Sequence, residues 1–193
     1  KRKTGLNEKF SKGGQRDAGQ VLGNGGLATL FAGLHYFFPT QPWVWAAFAA
    51  ALAAVNADTW ATELGVLNPH PPRLITNPGQ IVEKGTSGGV SLVGTLAALA
   101  GSGLIGLLAG IFAGSLTIGL LVTLAGLLGS LFDSLLGATV QAIYHCPTCN
   151  KETERHPLHT CGAATTLKRG WEWLDNDWVN FGCAAFGVLV ALS

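Results

Sequence analysis

Methionine is absent from the chain, even at position 1, and charge is thin: Asp, Glu, Lys and Arg make up 12% of 193 residues. A soluble domain carries roughly 25%. The first absence leads us to expect a fragment or processed product, with further helices upstream. The second excludes an ordinary solvated surface. Net charge is only +1, which excludes the strongly basic face of a nucleic-acid binder, so no nucleic-acid partner is expected. Four cysteines are too few for a disulfide scaffold, and three of them crowd one loop. The opening KRKTGLNEKFSKGGQRD is too polar to read as a secretory signal peptide.

What is plentiful is apolar and small. Hydrophobic residues reach 48%, and 27 residues are Gly, without the three-residue period of collagen. Close-packed, Gly-rich apolar helices are a membrane habit. Residues 20–38, 43–65, 88–112, 115–144 and 178–193 read as spans, against a requirement of ~20 residues each. The last is short. The fourth measures about 45 Å at 1.5 Å per residue, so it is expected to tilt or run into the cytoplasm. Leu is spread around most of each helix, which suits lipid or full burial. The expected fold class is therefore all-α: a polytopic transmembrane bundle of about five spans. Residues 1–193 read as one transmembrane domain, with 145–177 as a Cys/His loop inserted before the last helix.

All 12 Lys and Arg fall in the 1–16 tail, the 66–87 loop and the 145–177 loop, whereas the 39–42 and 113–114 turns hold none. Alternating spans put the three basic segments on one side. The positive-inside rule makes that side cytoplasmic.

Carboxylates within apolar stretches are the strongest chemical signal. Asp58, Glu63 and Asp133 are the three, and an Asp at mid-helix costs ~2.5–3.5 kcal/mol on insertion scales. In NADTWATELG, Asn56, Thr59 and Glu63 share a helix face, and Asp58 pairs with Thr62. In GSLFDSLLGATVQ, Gly129, Asp133, Gly137 and Gln141 repeat every four residues, with Ser130 and Ser134 beside them. Converging carboxylates at a membrane surface suit Mg²⁺ carrying phosphates. The competing reading is polar glue between helices.

Two Gly-rich segments precede spans. Lys12, Gly13, Gly14 and Arg16 open the first, with Asn24 soon after; Lys84, Thr86, Ser87, Gly88 and Gly89 open the third. A helix N-terminus with glycine beside it is an anion site; a capped hinge with basic anchors is the plain alternative. Neither segment has P-loop spacing. Arg73 adds charge on the same side. Asn176, Asp177 and Asn180 stand at the mouth of the last span among Trp171, Trp173 and Trp178, as phosphate or nucleotide ligands or as an interfacial anchor. Cys146, Cys149, His159 and Cys161 form a Cys₃His set suited to structural Zn²⁺, with reduced thiols as the alternative. Cys183 reads as a small apolar residue.

The ordered run KGGQRDAGQVLGNGG, NADTWATELG, GTSGGVS, GSLFDSLLGATVQ and LDNDWVN resembles one family of integral membrane proteins. That family includes animal transmembrane protein nineteen and the plant phytyl-phosphate kinase of vitamin E synthesis. The resemblance covers nearly the whole chain. It implies a kinase that adds phosphate to an isoprenoid monophosphate, with phytol and dolichol kinases as distant CTP-favouring relatives. It implies nothing for the cysteine loop, which is not general to the family.

The resulting expectation is a prenyl-phosphate kinase using Mg²⁺ and a nucleoside triphosphate, with CTP a candidate donor. Asp58 and Asp133 hold the metal and Glu63 supports them. Lys12, Arg16, Arg73 and Lys84 neutralise phosphates. Ser134 and the glycine segments line the phosphate site. A lipid-phosphate cytidylyltransferase would use the same parts. A lipid or ion transporter is the other alternative, although its carboxylates would sit at the midplane.

Overall fold

The computed structural model describes residues 17–193. Five helices carry the architecture: α1 (Ala18–Phe37), α2 (Pro42–Gly65), α3 (Leu92–Ala113), α4 (Leu116–Thr139) and α5 (Asn176–Leu192). Asp17, Ser91, Ser115 and Asp175 cap α1, α3, α4 and α5, each side chain accepting a first-turn amide. α2 instead starts on Pro42, whose missing N–H is no loss there. Gly114, at φ 60°, closes α3 and turns the chain into α4.

The bundle is ordered by side-chain size, small inside and large outside. α2 lies at the centre and touches every other helix. Its buried residues are Val44 and eight alanines from Ala46 to Ala57. Gly129 of α4 shows how tight the packing is: a Cβ there would lie 2.7 Å from Ala54 Cβ and 2.9 Å from the Cys183 carbonyl oxygen. The bulky side chains point away, among them Leu96, Leu107, Ile111, Phe112, Leu116, Leu120 and Leu189. An aqueous protein would not leave such a coat wet; in lipid, helices associate through small residues and leave Leu to the acyl chains.

α2, α3 and α4 are long and apolar enough to cross a membrane, and α5 is a shorter apolar helix. α1 has 20 residues but carries Gln20, Asn24, Thr29 and His35, and it is not among these three. The expected segments thus all become helices, with two boundary corrections. The helix expected over 115–144 ends at Thr139, because the chain beyond finds other partners. Trp171 N–H donates to the Val140 carbonyl and Ala142 N–H to the Leu174 carbonyl, both at 2.9 Å. The segment expected to span from 88 begins its helix only at Leu92, because Gly89 and Val90 are committed to a strand.

The two long connections are not plain loops. β1 (Arg73–Leu74), β2 (Asn77–Ile81) and β3 (Gly89–Val90) form an antiparallel sheet in the order β2-β1-β3. β4 (Ile143–Cys146), β5 (Lys151–Thr153) and β6 (Thr166–Arg169) form another, in the order β5-β4-β6. Strands of two to five residues carry too little alternation to be read from sequence. Both sheets sit where α2 and α4 end and α3 and α5 begin.

Candidate functional site

At that end the helices enclose a cavity of about 360 Å³. Three of its helices, α1, α3 and α5, present N-terminal residues to it, Gln20 and Asn24, Ser91 and Gly94, Asn176 and Asn180. Their positive dipole ends therefore converge on one space. α2 contributes Asp58, Thr59, Thr62 and Glu63; α4 contributes Ser130, Asp133, Ser134 and Gly137; the 84–91 segment closes the rim.

Asp58, Glu63 and Asp133 line this one cavity, together with Asn24, Lys84, Thr86, Ser87, Gly88, Gly89, Ser134, Asn176 and Asn180. Two expected residues are not brought there. Arg73 lies on exposed β1 and donates to the Pro78 carbonyl at 2.6 Å, because the short sheet turns it outward. Asp177 sits in the first turn of α5 with its backbone against Gly23 of α1, and it does not line the cavity as Asn176 and Asn180 do. Lys12, Gly13, Gly14 and Arg16, like the rest of the 1–16 tail, lie outside the described residues. Asn56 is spent on packing, its amide donating to the Gly101 carbonyl at 2.8 Å.

Sequence reasoning missed Gln20 and, more tellingly, Glu154. Glu154 Oε1 accepts from the Ser87 hydroxyl at 2.8 Å and from the Gln141 amide at 3.0 Å. It comes from the segment just after β5, and a glutamate in a polar loop gives no burial-cost signal. With it the cavity is lined by four carboxylates, Asp58, Glu63, Asp133 and Glu154, and among the described residues by one ammonium, Lys84. That ammonium is committed: Lys84 Nζ donates to the Val66 carbonyl at 3.0 Å and also to the Asn68 carbonyl. It ties the 84–91 segment to the C-terminus of α2, where a cation complements the dipole.

Two acceptor atoms of the lining find no donor among the described residues. The Ser130 side chain is the hydrogen-bonding neighbour of Asp58, and Asp133 lies within electrostatic reach of Asp58 and Glu154. Asp133 Oδ2 and Gln20 Oε1 are buried and accept no hydrogen bond from the described residues. Buried acceptors without donors are costly, and a cation relieves that cost. The donor set, carboxylate and carboxamide oxygen, is the hard-oxygen type that suits Mg²⁺. The residues therefore fit such an ion.

The rim segment is held against α4 by Gly88. Its φ is 84°, and a Cβ there would collide with the backbone N and Cα and the Cβ of Ala138. Gly85, at φ 80°, supplies the preceding turn. Two close turns in a row, with Gly89 N–H donating to the Thr86 carbonyl at 2.9 Å, bring backbone and hydroxyls, rather than bulk, to the cavity mouth.

A second cluster lies in the β4–β6 region. Cys146, Cys149, His159 and Cys161 offer ligand atoms that all lie within 4.8 Å of one another. The His159 hydrogen bond, aided by the Ala163 backbone, pulls the Cys161 thiol down to about 6, whereas hydrogen bonding with Cys161 and burial push the Cys149 thiol up to about 11. The three thiols thus act as one interacting set. Nearby, burial and the carboxylates Glu172 and Asp175 push the Tyr144 phenol upward.

Comparison with known proteins agrees with the membrane architecture. The chain is 36% identical to the Arabidopsis thaliana protein named PGR, over 93% of this chain and 69% of that one. It is 42% identical to an uncharacterized membrane protein of Methanocaldococcus jannaschii, over 64% of this chain and 50% of the relative. An uncharacterized membrane protein of Synechocystis is 32% identical over the whole chain, which spans 64% of it. No solved structure matches. The family model for integral membrane protein DUF92 matches residues 1–188, and the chain belongs to that family of multi-pass membrane proteins.

Proposed function

We propose that this chain forms the catalytic part of a membrane-bound isoprenoid monophosphate kinase. One observation carries the reading. A group of carboxylates, in which Asp133 Oδ2 is buried and accepts no hydrogen bond from the described residues, meets a glycine-rich rim and three helix N-termini at one end of the bundle. Carboxylates alone would repel phosphate, and helix N-termini alone would not need carboxylates. A divalent cation between the two satisfies both. When bound, Mg²⁺ supplies charge neutralisation for the phosphates; Asp58 and Asp133 would hold it, with Gln20 Oε1 and Glu63 in support. The Thr86 hydroxyl and the backbone amides of Gly85, Ser87 and Gly88 would orient phosphate oxygens, whereas the Thr86 and Gly89 amides and the Ser87 hydroxyl already donate within the protein. Lys12 and Arg16 remain candidates to add charge from the tail.

In this reaction a phosphate oxygen of the prenyl monophosphate attacks the γ-phosphorus of the nucleotide. The bond from that phosphorus to the β-phosphate bridging oxygen breaks, leaving prenyl diphosphate and nucleoside diphosphate. The acceptor is already an anion, so no general base is required, and the protein's part is positioning and charge. The isoprenoid tail is assigned to the apolar helix surfaces beside the cavity.

The test is transfer of label from γ-labelled nucleoside triphosphates to a panel of prenyl monophosphates, using the full-length protein. Labelled prenyl diphosphate is the expected product. Label entering lipid from the α-position of CTP would mean cytidylyl transfer, and no transfer from any donor by well-folded protein would overturn the reading.

The cavity is further assigned to the cytoplasmic face. Support comes from the basic residues of the described loops, Arg73, Lys84, Lys151, Arg155, Lys168 and Arg169, all at the cavity end. A protease site inserted at Gly79, exposed on β2, is expected to be cut only from the cytoplasmic side. One inserted at Gly114, in the α3–α4 turn, should be cut only from the other. The reverse pattern would invert the topology.

A further inference from the structure

We propose that Cys146, Cys149, His159 and Cys161 form a structural Zn²⁺ site, and that this site fixes the position of Glu154 in the membrane cavity. The proposal holds whichever reaction the cavity carries out.

The ligand geometry comes first. Cys146 Sγ and Cys161 Sγ are 3.5 Å apart, Cys149 Sγ and His159 Nδ1 3.5 Å, and His159 Nδ1 and Cys161 Sγ 3.2 Å. Around tetrahedral zinc with Zn–S of ~2.3 Å, ligand atoms stand about 3.6–3.8 Å apart. The four atoms already approximate that tetrahedron. Three thiolates and one imidazole leave no open position, which marks a structural rather than a catalytic metal. Binding releases the thiol protons to solvent.

The backbone agrees. The ligands come as two short turns, Cys146-Pro-Thr-Cys149 and His159-Thr-Cys161, and each is followed by a residue in the left-handed region: Asn150 at φ 53° and Gly162 at φ 82°. Left-handed residues let the chain curl back over the sulfurs. Gly162 N–H donates to the His159 carbonyl at 2.9 Å, and the Ala163 backbone bonds to the Cys161 sulfur.

The sheet around the cluster also needs a staple. β4, β5 and β6 have four, three and four residues, too few to bury more than a small core of their own. Yet Cys146, Thr153, His159 and Thr165 are buried there. A metal adds to the small apolar core of the sheet, to which β4 gives Ile143 and Tyr144.

The link to the cavity is short. Cys146 pairs with Lys151 across the β4–β5 hairpin, and β5 ends one residue before Glu154. After Glu154, the chain runs to His159 and Cys161, with Thr165 Oγ1 donating to the Arg155 carbonyl at 3.0 Å. Ligands therefore clamp Glu154 from both sides in sequence. Glu154 in turn holds Ser87 of the rim and Gln141 beyond α4. It is a positioning residue, acting on the site through Ser87.

The experiment measures metal, not turnover, so it is independent of the kinase reading. Elemental analysis of the purified full chain is expected to give one zinc per chain. Cys149→Ser/Cys161→Ser should lose it, and Cys183→Ser, in α5, should keep it. To guard against misfolded variants, chelated wild-type protein is refilled with Co²⁺; thiolate-to-cobalt charge transfer and tetrahedral d–d bands are expected. Wild-type protein without zinc, or with iron instead, would overturn the site. So would retention of zinc by the double variant or an octahedral cobalt spectrum. For the link, amide exchange at 151–155 and 85–89 should speed up on zinc removal while central α2 stays protected. Unchanged exchange at 85–89 would sever the knuckle from the cavity.

Discussion

Asp133→Asn and Asp58→Asn are each expected to reduce phosphoryl transfer on the order of a hundred- to a thousand-fold, the scale set by loss of one preorganised electrostatic contact. Asn keeps the shape of Asp and most of its hydrogen bonding, so the bundle should still form. What disappears is the negative charge. Asp133 is the sharper case, because its Oδ2 is buried and accepts no hydrogen bond from the described residues. An Asn amide would put N–H groups into a space that asks for a cation. The requirement for added Mg²⁺ should therefore rise in both variants, with kcat falling more than KM changes. Glu63→Gln should cost less, about ten- to a hundredfold, as a supporting group does. Monodisperse protein in detergent, assayed across an Mg²⁺ titration, gives the measurement. If both Asp variants keep near-normal transfer while remaining folded, the carboxylates are helix-to-helix glue and the kinase assignment of this cavity fails.

The parts of the site that could be read in the sequence are those where chemistry conflicts with the surroundings. Asp58 and Asp133 stand in apolar helices, where a carboxylate is expensive, and their presence there is a signal without any structure. The four-residue spacing of Gly129, Asp133 and Gly137 places a charge and two close-approach points on one helix face, and Gly129 indeed lies against α2 and α5. Glu154 shows the opposite. It sits in a polar loop, where a carboxylate costs nothing, and only the fold carries it to Ser87 and Gln141. The end of α4 was hidden for a different reason. Val140, Ala142 and Ile143 continue the apolar run, so hydropathy sees no boundary. The helix stops because residues 171–174 offer better hydrogen-bond partners, a long-range fact. Arg73 was misplaced because net positive charge gives a side of the membrane but not a direction for the side chain.

Gly88→Ala is expected to lower transfer about tenfold or more, corresponding to upwards of ~1.4 kcal/mol at the barrier. Two costs add at this position. Its φ of 84° belongs to the left-handed side, where an L-residue loses roughly 1–2 kcal/mol. The new methyl also meets the backbone of Ala138, and a helix backbone cannot step aside as a flexible side chain would. The rim must lift from α4, taking Ser87 and Gly89 with it and breaking the alignment of Ser87 with Glu154. Strain and displacement are separable. Gly114→Ala carries a similar strain, at φ 60°, but its methyl meets nothing within 4 Å, and it lies at the far end of the bundle. Both variants should lose thermal stability, by roughly 2–8 °C on the scale for chains of this length. Only Gly88→Ala should lose activity. Gly25→Ala, within α1 and with open space around it, should be neutral or mildly stabilising, since Ala favours helix by up to ~1 kcal/mol. Melting curves and single-turnover rates on the three variants decide the matter. Equal activity loss in Gly114→Ala would show that general strain, not the seat of the rim on Ala138, controls the cavity.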